Sequence, residues 1–178
     1  KIYEKYLKEN KEKNLNIIEL GSFYGNASAA FYFYFKNSQI YSADINPDMY
    51  KYRGSRLKNF YVDSSSRKSI TKNLLSNNID FNIVIEDASH MLKDQVISFF
   101  MLFPLVEKDG FFITEEIDFP EKRDDMRIGQ KRPDLKTILK KPVSPLAVVG
   151  HASPAGIDFP LIFHWFSIDF GKSMENQC

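Results

Sequence analysis

The chain has 178 residues, enough for one domain with a real core and too few for two independent folding units. Its 24 basic and 23 acidic side chains nearly cancel, so no broad field is aimed at nucleic acid or an anionic membrane, and specificity must lie in a local site. The single cysteine, Cys178, excludes an internal disulfide or a Cys-based zinc site, and no apolar run approaches the roughly 20 residues that span a bilayer. With no signal-peptide pattern, a soluble cytoplasmic protein is the expectation. The chain opens at Lys1 and stops at Cys178 just after a strand-like segment, so both ends are expected to be truncated.

Glu4 to Lys13 reads as a solvated helix face. Ile17-Ile18 and Leu20 then run into Gly21 and Gly25, followed by Ala27, Ser28, Ala29 and Ala30, a strand, tight turn and helix. The aromatic block 31–35 is assigned to the buried end of that helix, as packing rather than a base-stacking platform, because no basic stripe accompanies it. Residues 39–43 form a strand ending at Asp44, with Asn46-Pro47 turning beyond it. A third strand at 60–62 ends at Asp63, and Ser64-Ser65-Ser66 can cap a helix over 68–75. Residues 81–85 are the strongest strand, nearly continuous in apolar character, and stop at Glu86-Asp87. A helix over 93–106 and a turn at Asp109-Gly110 lead to a strand at 111–114, which ends at Glu115-Glu116.

Strand and helix thus alternate five strands deep, which predicts an α/β fold with a mainly parallel sheet and helices on both faces. Residues 121–141 are charged and read as a surface loop, lid or short exposed helix. Apolar character returns at 146–149 and 161–170. His164, beside Trp165, is expected to be a core or interface residue, and His151 carries no chemistry.

In an open parallel sheet, ligands bind outside the carboxyl ends of the strands, where the strand order reverses. One acid at a strand end is an ordinary turn residue. Here Glu19, Asp44, Asp63, Asp87 and the Glu115-Glu116 pair occupy five successive ends, which points to a site. Gly21 and Gly25 frame a loop that can bring backbone N–H groups and a helix N-terminus to a ligand. Asp44, about twenty residues on, suits a ribose diol. Phe23 stands where a dinucleotide fingerprint needs its second glycine, so a pyrophosphate would fit poorly. That feature, with the lack of a Tyr-x-x-x-Lys pair, disfavours a nicotinamide-dependent oxidoreductase.

Glu19-x-Gly21-x-x-x-Gly25, Asp44 and Asp63-Ser64 resemble the class I S-adenosylmethionine-dependent methyltransferases over residues 16–119. The resemblance implies a Rossmann-like sheet closed by an antiparallel strand pair. That pair is expected to be incomplete, since 161–170 can be its first member while Met174 to Cys178 only begin the second. The resulting bare edge predicts a homo-oligomer or poor solubility. The resemblance also implies S-adenosyl-L-methionine as cofactor, with Gly21, Ser22, Tyr24 and Gly25 around its methionine part. Glu19 would support its ammonium group, Asp44 would hold the ribose hydroxyls, and Asp63 and Ser64 would lie near the adenine.

Asp87-Ala88-Ser89-His90, Leu102-Phe103-Pro104, Asp109-Gly110 and Glu115-Glu116 are similar to a narrower group, the macrolide-sugar (mycinamicin-type) O-methyltransferases and cephalosporin-hydroxylase-like proteins. That likeness implies Mg²⁺ on Asp87, Glu115 and Glu116, with His90 as catalytic base; the acidic pair is Glu-Glu where that group has Glu-Asp. The chemistry is coherent, because Mg²⁺ takes hard oxygen ligands and lowers the pKa of a bound hydroxyl, whose proton an imidazole can then remove.

The expectation is one methyltransferase domain over 1–178, with a cofactor-binding core at 16–119 and substrate, lid and terminal strands at 120–178. The expected acceptor is a hydroxyl on a sugar-like or other small molecule, with neither nucleic acid nor membrane as partner. The competing expectation is a truncated, non-catalytic binding domain.

Overall fold

A computed structural model describes residues 2–117, 119–128, 130, 135–139, 146–149 and 161–165. The apolar runs become five parallel strands: β1 (Asn16–Leu20), β2 (Gln39–Asp44), β3 (Leu57–Tyr61), β4 (Phe81–Glu86) and β5 (Val106–Thr114). They lie in the order β3-β2-β1-β4-β5. The order reverses at β1, whose Leu20 faces Ala43 of β2 on one side and Glu86 of β4 on the other. That reversal opens a crevice at the carboxyl ends and brings the acid-bearing turns to it.

The central strands are buried on both faces because helices cover both. On one face Ile18, Leu20, Val84 and Phe112 pack with Ile70 of α3 (Arg67–Asn73) and with Ile97, Phe99 and Leu102 of α4 (Leu92–Leu102). On the other, Ile17, Ile40, Ile83, Ile85 and Ile113 pack with Phe35 and with Leu7 of α1 (Ile2–Leu7). Each fully buried side chain of this kind contributes about 1.5–3 kcal/mol. The charged segment beginning at Glu4 is therefore solvated only in part.

The helix ends follow from local chemistry. Ser66 caps α3, its Oγ accepting the Ser69 N–H at 3.2 Å. Helix α2 (Asn26–Tyr34) carries the aromatic block, of which Phe35 is fully buried while Phe33 is 75% exposed. Its last carbonyls are met by Arg56, which donates to the carbonyls of Tyr32 and Phe35 at 2.8 and 2.9 Å and lies 4.0 Å over the Tyr32 ring. Helix α4 stops at Leu102, earlier than the sequence pattern suggests, because Pro104 cannot continue it.

Two expectations are corrected. Asp109-Gly110 does not turn the chain into β5 but lies inside it: Phe81 pairs with Val106 and Ile83 with Phe111, so the residues between bulge, with Asp109 at φ 63°. The strand that begins at Leu161 is not the first member of the closing antiparallel pair but the second. The pair consists of β6 (Leu146–Val149) and β7 (Leu161–Trp165), with β7 antiparallel to β5 and β6 to β7. Leu146–Val149 reaches β7 on the side opposite β5, which covers the edge expected to be bare and removes that argument for a homo-oligomer. Met174 to Cys178 and His151 lie outside the described residues, and His164 falls on β7. In the charged segment, α5 (Phe119–Lys122) and α6 (Leu135–Leu139) form, and Leu135 is buried in the core rather than on the surface. No helix among the described residues is long and apolar enough to cross a membrane.

Candidate active site

A cleft of about 610 Å³ opens at the carboxyl ends of the strands. Its first wall is the β1 turn. Gly21 has φ 83° and donates to the Ala43 carbonyl at 2.8 Å; an added Cβ would collide with the Asp87 carbonyl, so the turns after β1 and β4 touch here. Gly25, at φ 80°, leaves room only for the Tyr50 ring. Phe23 is also left-handed, at φ 45°, 52% exposed, with its ring centroid 3.9 Å from that of Tyr24 and tilted 37° to it. This conformation aims the Phe23 N–H at Asp44 Oδ2, 2.8 Å away, while the Asn46 N–H donates to Asp44 Oδ1 at 2.8 Å. Asp44 is only 9% exposed, and each fixed oxygen keeps a further lone pair. Asp63 accepts the Ser65 N–H at 2.9 Å and hydroxyl at 2.6 Å, which fixes the turn after β3.

The second wall is a charge cluster on the turns after β4 and β5. His90 Nε2 lies 3.0 Å from Glu116 Oε2, and His90 Nδ1 lies 4.0 Å from Asp87 Oδ1. Both His90 and Glu116 are left-handed, at φ 57° and 49°, conformations that cost about 1–3 kcal/mol in non-glycine residues and gather at functional sites. Burial pushes the His90 imidazole below its ordinary pKa, with Glu116 pulling the other way. Burial pushes Asp87 up to about 7, helped by the nearby charges of Glu115, Glu19 and Glu116.

Glu115 is raised by burial and by Glu116, while a hydrogen bond from the Tyr3 hydroxyl opposes the rise. Behind the cleft, Glu19 is 3% exposed and accepts the Ser28 hydroxyl; burial pushes it to about 7 against that hydrogen bond. Buried Glu86 is pushed to about 8, mainly by desolvation.

Of the residues expected from sequence, the structure brings Gly21, Asp44, Asp63, Ser64, Asp87, His90 and Glu116 to the cleft. Glu19, Ser22, Tyr24, Gly25 and Glu115 are not among its lining residues. The Ser22 hydroxyl is taken up by the scaffold, donating to the Glu19 carbonyl at 2.9 Å and accepting the Ala43 N–H at 3.0 Å. Among the described residues, no group of three or more His, Cys, Asp or Glu side chains is arranged to hold a metal ion. Glu115 faces Tyr3 and Glu116 faces His90. The donor chemistry nevertheless suits a hard divalent cation, since crowded carboxylates that raise one another's proton affinity are relieved by one.

Sequence reasoning missed two neighbours of this cluster. Tyr3 is 112 residues from Glu115 and gave no local signal. Asp94 lines the cleft and accepts the Ser89 hydroxyl at 2.6 Å; its place in the first turn of α4 made it look like an ordinary helix-start acid.

The sheet order and the cleft at its switch point are those of the Rossmann-like class I methyltransferase fold. Among solved structures, the chain is similar to the MycE methyltransferase from the mycinamycin biosynthetic pathway, in complex with Mg, SAH and mycinamycin VI. The TM-score is 0.72 at 20% identity, covering 93% of this chain and 47% of that one, so this chain spans about half the length of MycE. It is also similar to human methyltransferase-like protein 13 in complex with SAH, with TM-score 0.63, 14% identity and coverage of 95% and 81%. An rRNA methylase from Streptococcus thermophilus has TM-score 0.61 and 9% identity, with coverage of 93% and 95%. At these identities the likeness is one of fold. No family model and no curated protein matches the sequence.

Proposed function

We propose that this chain is the core of an S-adenosylmethionine-dependent methyltransferase that methylates a hydroxyl of a small-molecule acceptor with help from a divalent cation. One observation carries the reading: a single cleft has Asp44, with both oxygens held by backbone N–H groups, on one wall and the Asp87, His90 and Glu116 cluster on the other. Asp44 would accept the ribose hydroxyls, with Asp63 and Ser64 toward the adenine and Gly21 beside the methionine part. Glu19 would act from behind the turn as a charge near the ammonium group.

Burial holds the His90 imidazole below its ordinary pKa, which favours the neutral form that a general base requires. The acceptor's hydroxyl proton would pass to this imidazole. Asp87, Glu115 and Glu116 would hold Mg²⁺, which requires Glu115 and Glu116 to exchange their present partners. When bound, the cofactor supplies an electrophilic methyl group and the cation acidifies the acceptor hydroxyl.

Transfer of labelled methyl from S-adenosylmethionine to a panel of polyhydroxylated acceptors tests this reading. A chelator should abolish transfer, leave cofactor affinity nearly intact, and be reversed by Mg²⁺. The metal half is tested without turnover by titrating Mg²⁺ or Mn²⁺ into protein loaded with S-adenosylhomocysteine. No binding at millimolar metal, or binding that survives Asp87→Ala with Glu115→Ala, would leave only a metal-free methyltransferase. The partnered state of Glu115 and Glu116 favours a second reading, a cofactor-binding domain without catalysis, which predicts S-adenosylhomocysteine binding and no transfer to any acceptor.

A further inference from the structure

The cleft is acidic, and a second pocket of opposite character adjoins it. This pocket holds about 300 Å³ and shares Ser65 and Asp94 with the cleft. Met91, which follows His90 directly, lines it, so the pocket begins one residue from the proposed base. The two cavities therefore share the wall formed by Ser65 and Asp94, the latter close to His90 in sequence.

Their charges differ in a way that bears on what each can take. Asp44, Asp63, Asp87 and Glu116 line the cleft, which suits an ammonium, a sulfonium or a metal ion and repels anions. The adjoining pocket is lined by Lys93 and Arg127. Its one acid, Asp94, is 7% exposed and is bound by the Ser89 hydroxyl. Arg123 and Asp125, exposed on the same loop as Arg127, pair with each other at 2.7 Å and are not among the lining residues.

Beside the polar Ser65 and Gln130, the rest of the lining is apolar and adaptable. Met91 and Met126 are unbranched thioethers that mould to varied shapes. Ile128 is 80% exposed and left-handed at φ 44°, a conformation a β-branched residue adopts only under constraint. An exposed aliphatic group held in that way beside two methionines and two cations forms an amphipathic receptor.

We infer that this pocket is the acceptor subsite and that it selects a small hydroxylated anion with an apolar body. The body rests on Met91, Met126 and Ile128, and a carboxylate or phosphate lies against Lys93 and Arg127. The hydroxyl then points past Met91 toward His90. This rests on the methyltransferase reading and narrows its acceptor from polyhydroxylated molecules in general to anionic, amphipathic ones.

The test is a calorimetric titration of the chain, saturated with S-adenosylhomocysteine, with 4-hydroxyphenylacetate, 4-hydroxyphenyl phosphate and the neutral 4-hydroxyphenylacetamide. At least one anionic probe should bind about tenfold or more tightly than the amide, the size expected of one or two charge-assisted hydrogen bonds. Lys93→Gln with Arg127→Gln should erase the difference and leave S-adenosylhomocysteine affinity unchanged. Should that double variant fail to bind S-adenosylhomocysteine, the single exposed variant Lys93→Glu serves, and it should lower anion affinity without altering the amide's. Equal binding of the three probes, or a preference that survives these substitutions, overturns the subsite. Failure of the unaltered chain to bind S-adenosylhomocysteine overturns the methyltransferase reading and the subsite with it, whereas normal binding without an anion preference overturns the subsite alone.

Discussion

The β1–β2 wall of the cleft and the β4–β5 wall are built by different means. On the first, backbone amides do the positioning: Phe23 and Asn46 hold Asp44, and the glycines allow turns that no side chain could enter. On the second, side-chain charges crowd together, and His90 and Glu116 occupy left-handed backbone that neither prefers. The first wall is held by backbone hydrogen bonds. The second stores strain and excess negative charge, and a base, a cation or an acceptor would relieve it. The contrast teaches that binding and chemistry should be separable by substitution.

The largest effect expected is on turnover. His90→Ala should lower the methyl-transfer rate by roughly a hundred- to ten-thousand-fold, with S-adenosylhomocysteine affinity unchanged. Raising the pH should recover part of the loss, because hydroxide can replace a missing base. An equal loss of cofactor affinity would mean that the walls are not independent.

Next in size are backbone substitutions, which should have opposite signs on the two walls. Gly21→Ala should destabilise the fold by more than about 2 kcal/mol, since the position is left-handed and already filled by the neighbouring turn. Glu116→Gly should stabilise it by about 1 kcal/mol while impairing activity, because it releases left-handed backbone and removes a crowded charge. Urea midpoints of the two variants decide the matter.

A pH dependence follows from the raised acids. Glu19, Asp87 and Glu86 have folded-state pKa values of about 7, 7 and 8, above their ordinary values, so the folded state binds more protons than the unfolded one. Their contribution is complete below the unfolded pKa values and is lost as pH rises through the folded ones. Metal-free stability should therefore fall between about pH 5 and about pH 8, with His90, whose pKa is lowered, opposing this only at the acid end. Millimolar Mg²⁺ should flatten the slope through Asp87, and urea midpoints across the range with and without the ion would show it.

The smallest effect is that of Tyr3→Phe, which removes the hydroxyl bonded to Glu115. It should cost about 1 kcal/mol and raise the Glu115 pKa further. A Tyr3→Phe chain that titrates like the parent by carboxylate NMR would show that the contact does nothing for the second wall.

The same contrast explains what could be read from the sequence. The first wall was legible because its signals are local: an apolar run, then an acid or a glycine, then helix-forming residues. Asp44 ends β2, and Gly21 follows β1 directly. The alternation of strands and helices likewise predicted the parallel sheet. Much of the second wall was not legible, because its partners are brought together by the fold. Tyr3 meets Glu115 across 112 residues, and left-handed His90 and Glu116 carry no glycine or asparagine to announce them. The engagement of the Ser22 hydroxyl by the scaffold was likewise not legible, because a loop hydroxyl can face a ligand or a carbonyl and no pattern tells which. The closing strands were paired wrongly for a related reason: apolar segments at 146–149 and 161–165 advertise strands but not which strand lies beside which.

The central claim is that the first wall binds S-adenosylmethionine through Asp44, and titration of S-adenosylhomocysteine into the unaltered chain and into Asp44→Ala tests it most directly. The account predicts saturable binding that NAD does not compete away, weakened about ten- to a hundred-fold in the variant by loss of charge-assisted hydrogen bonds to the ribose. No binding by the unaltered chain, or unchanged affinity in a folded Asp44→Ala chain, would contradict it.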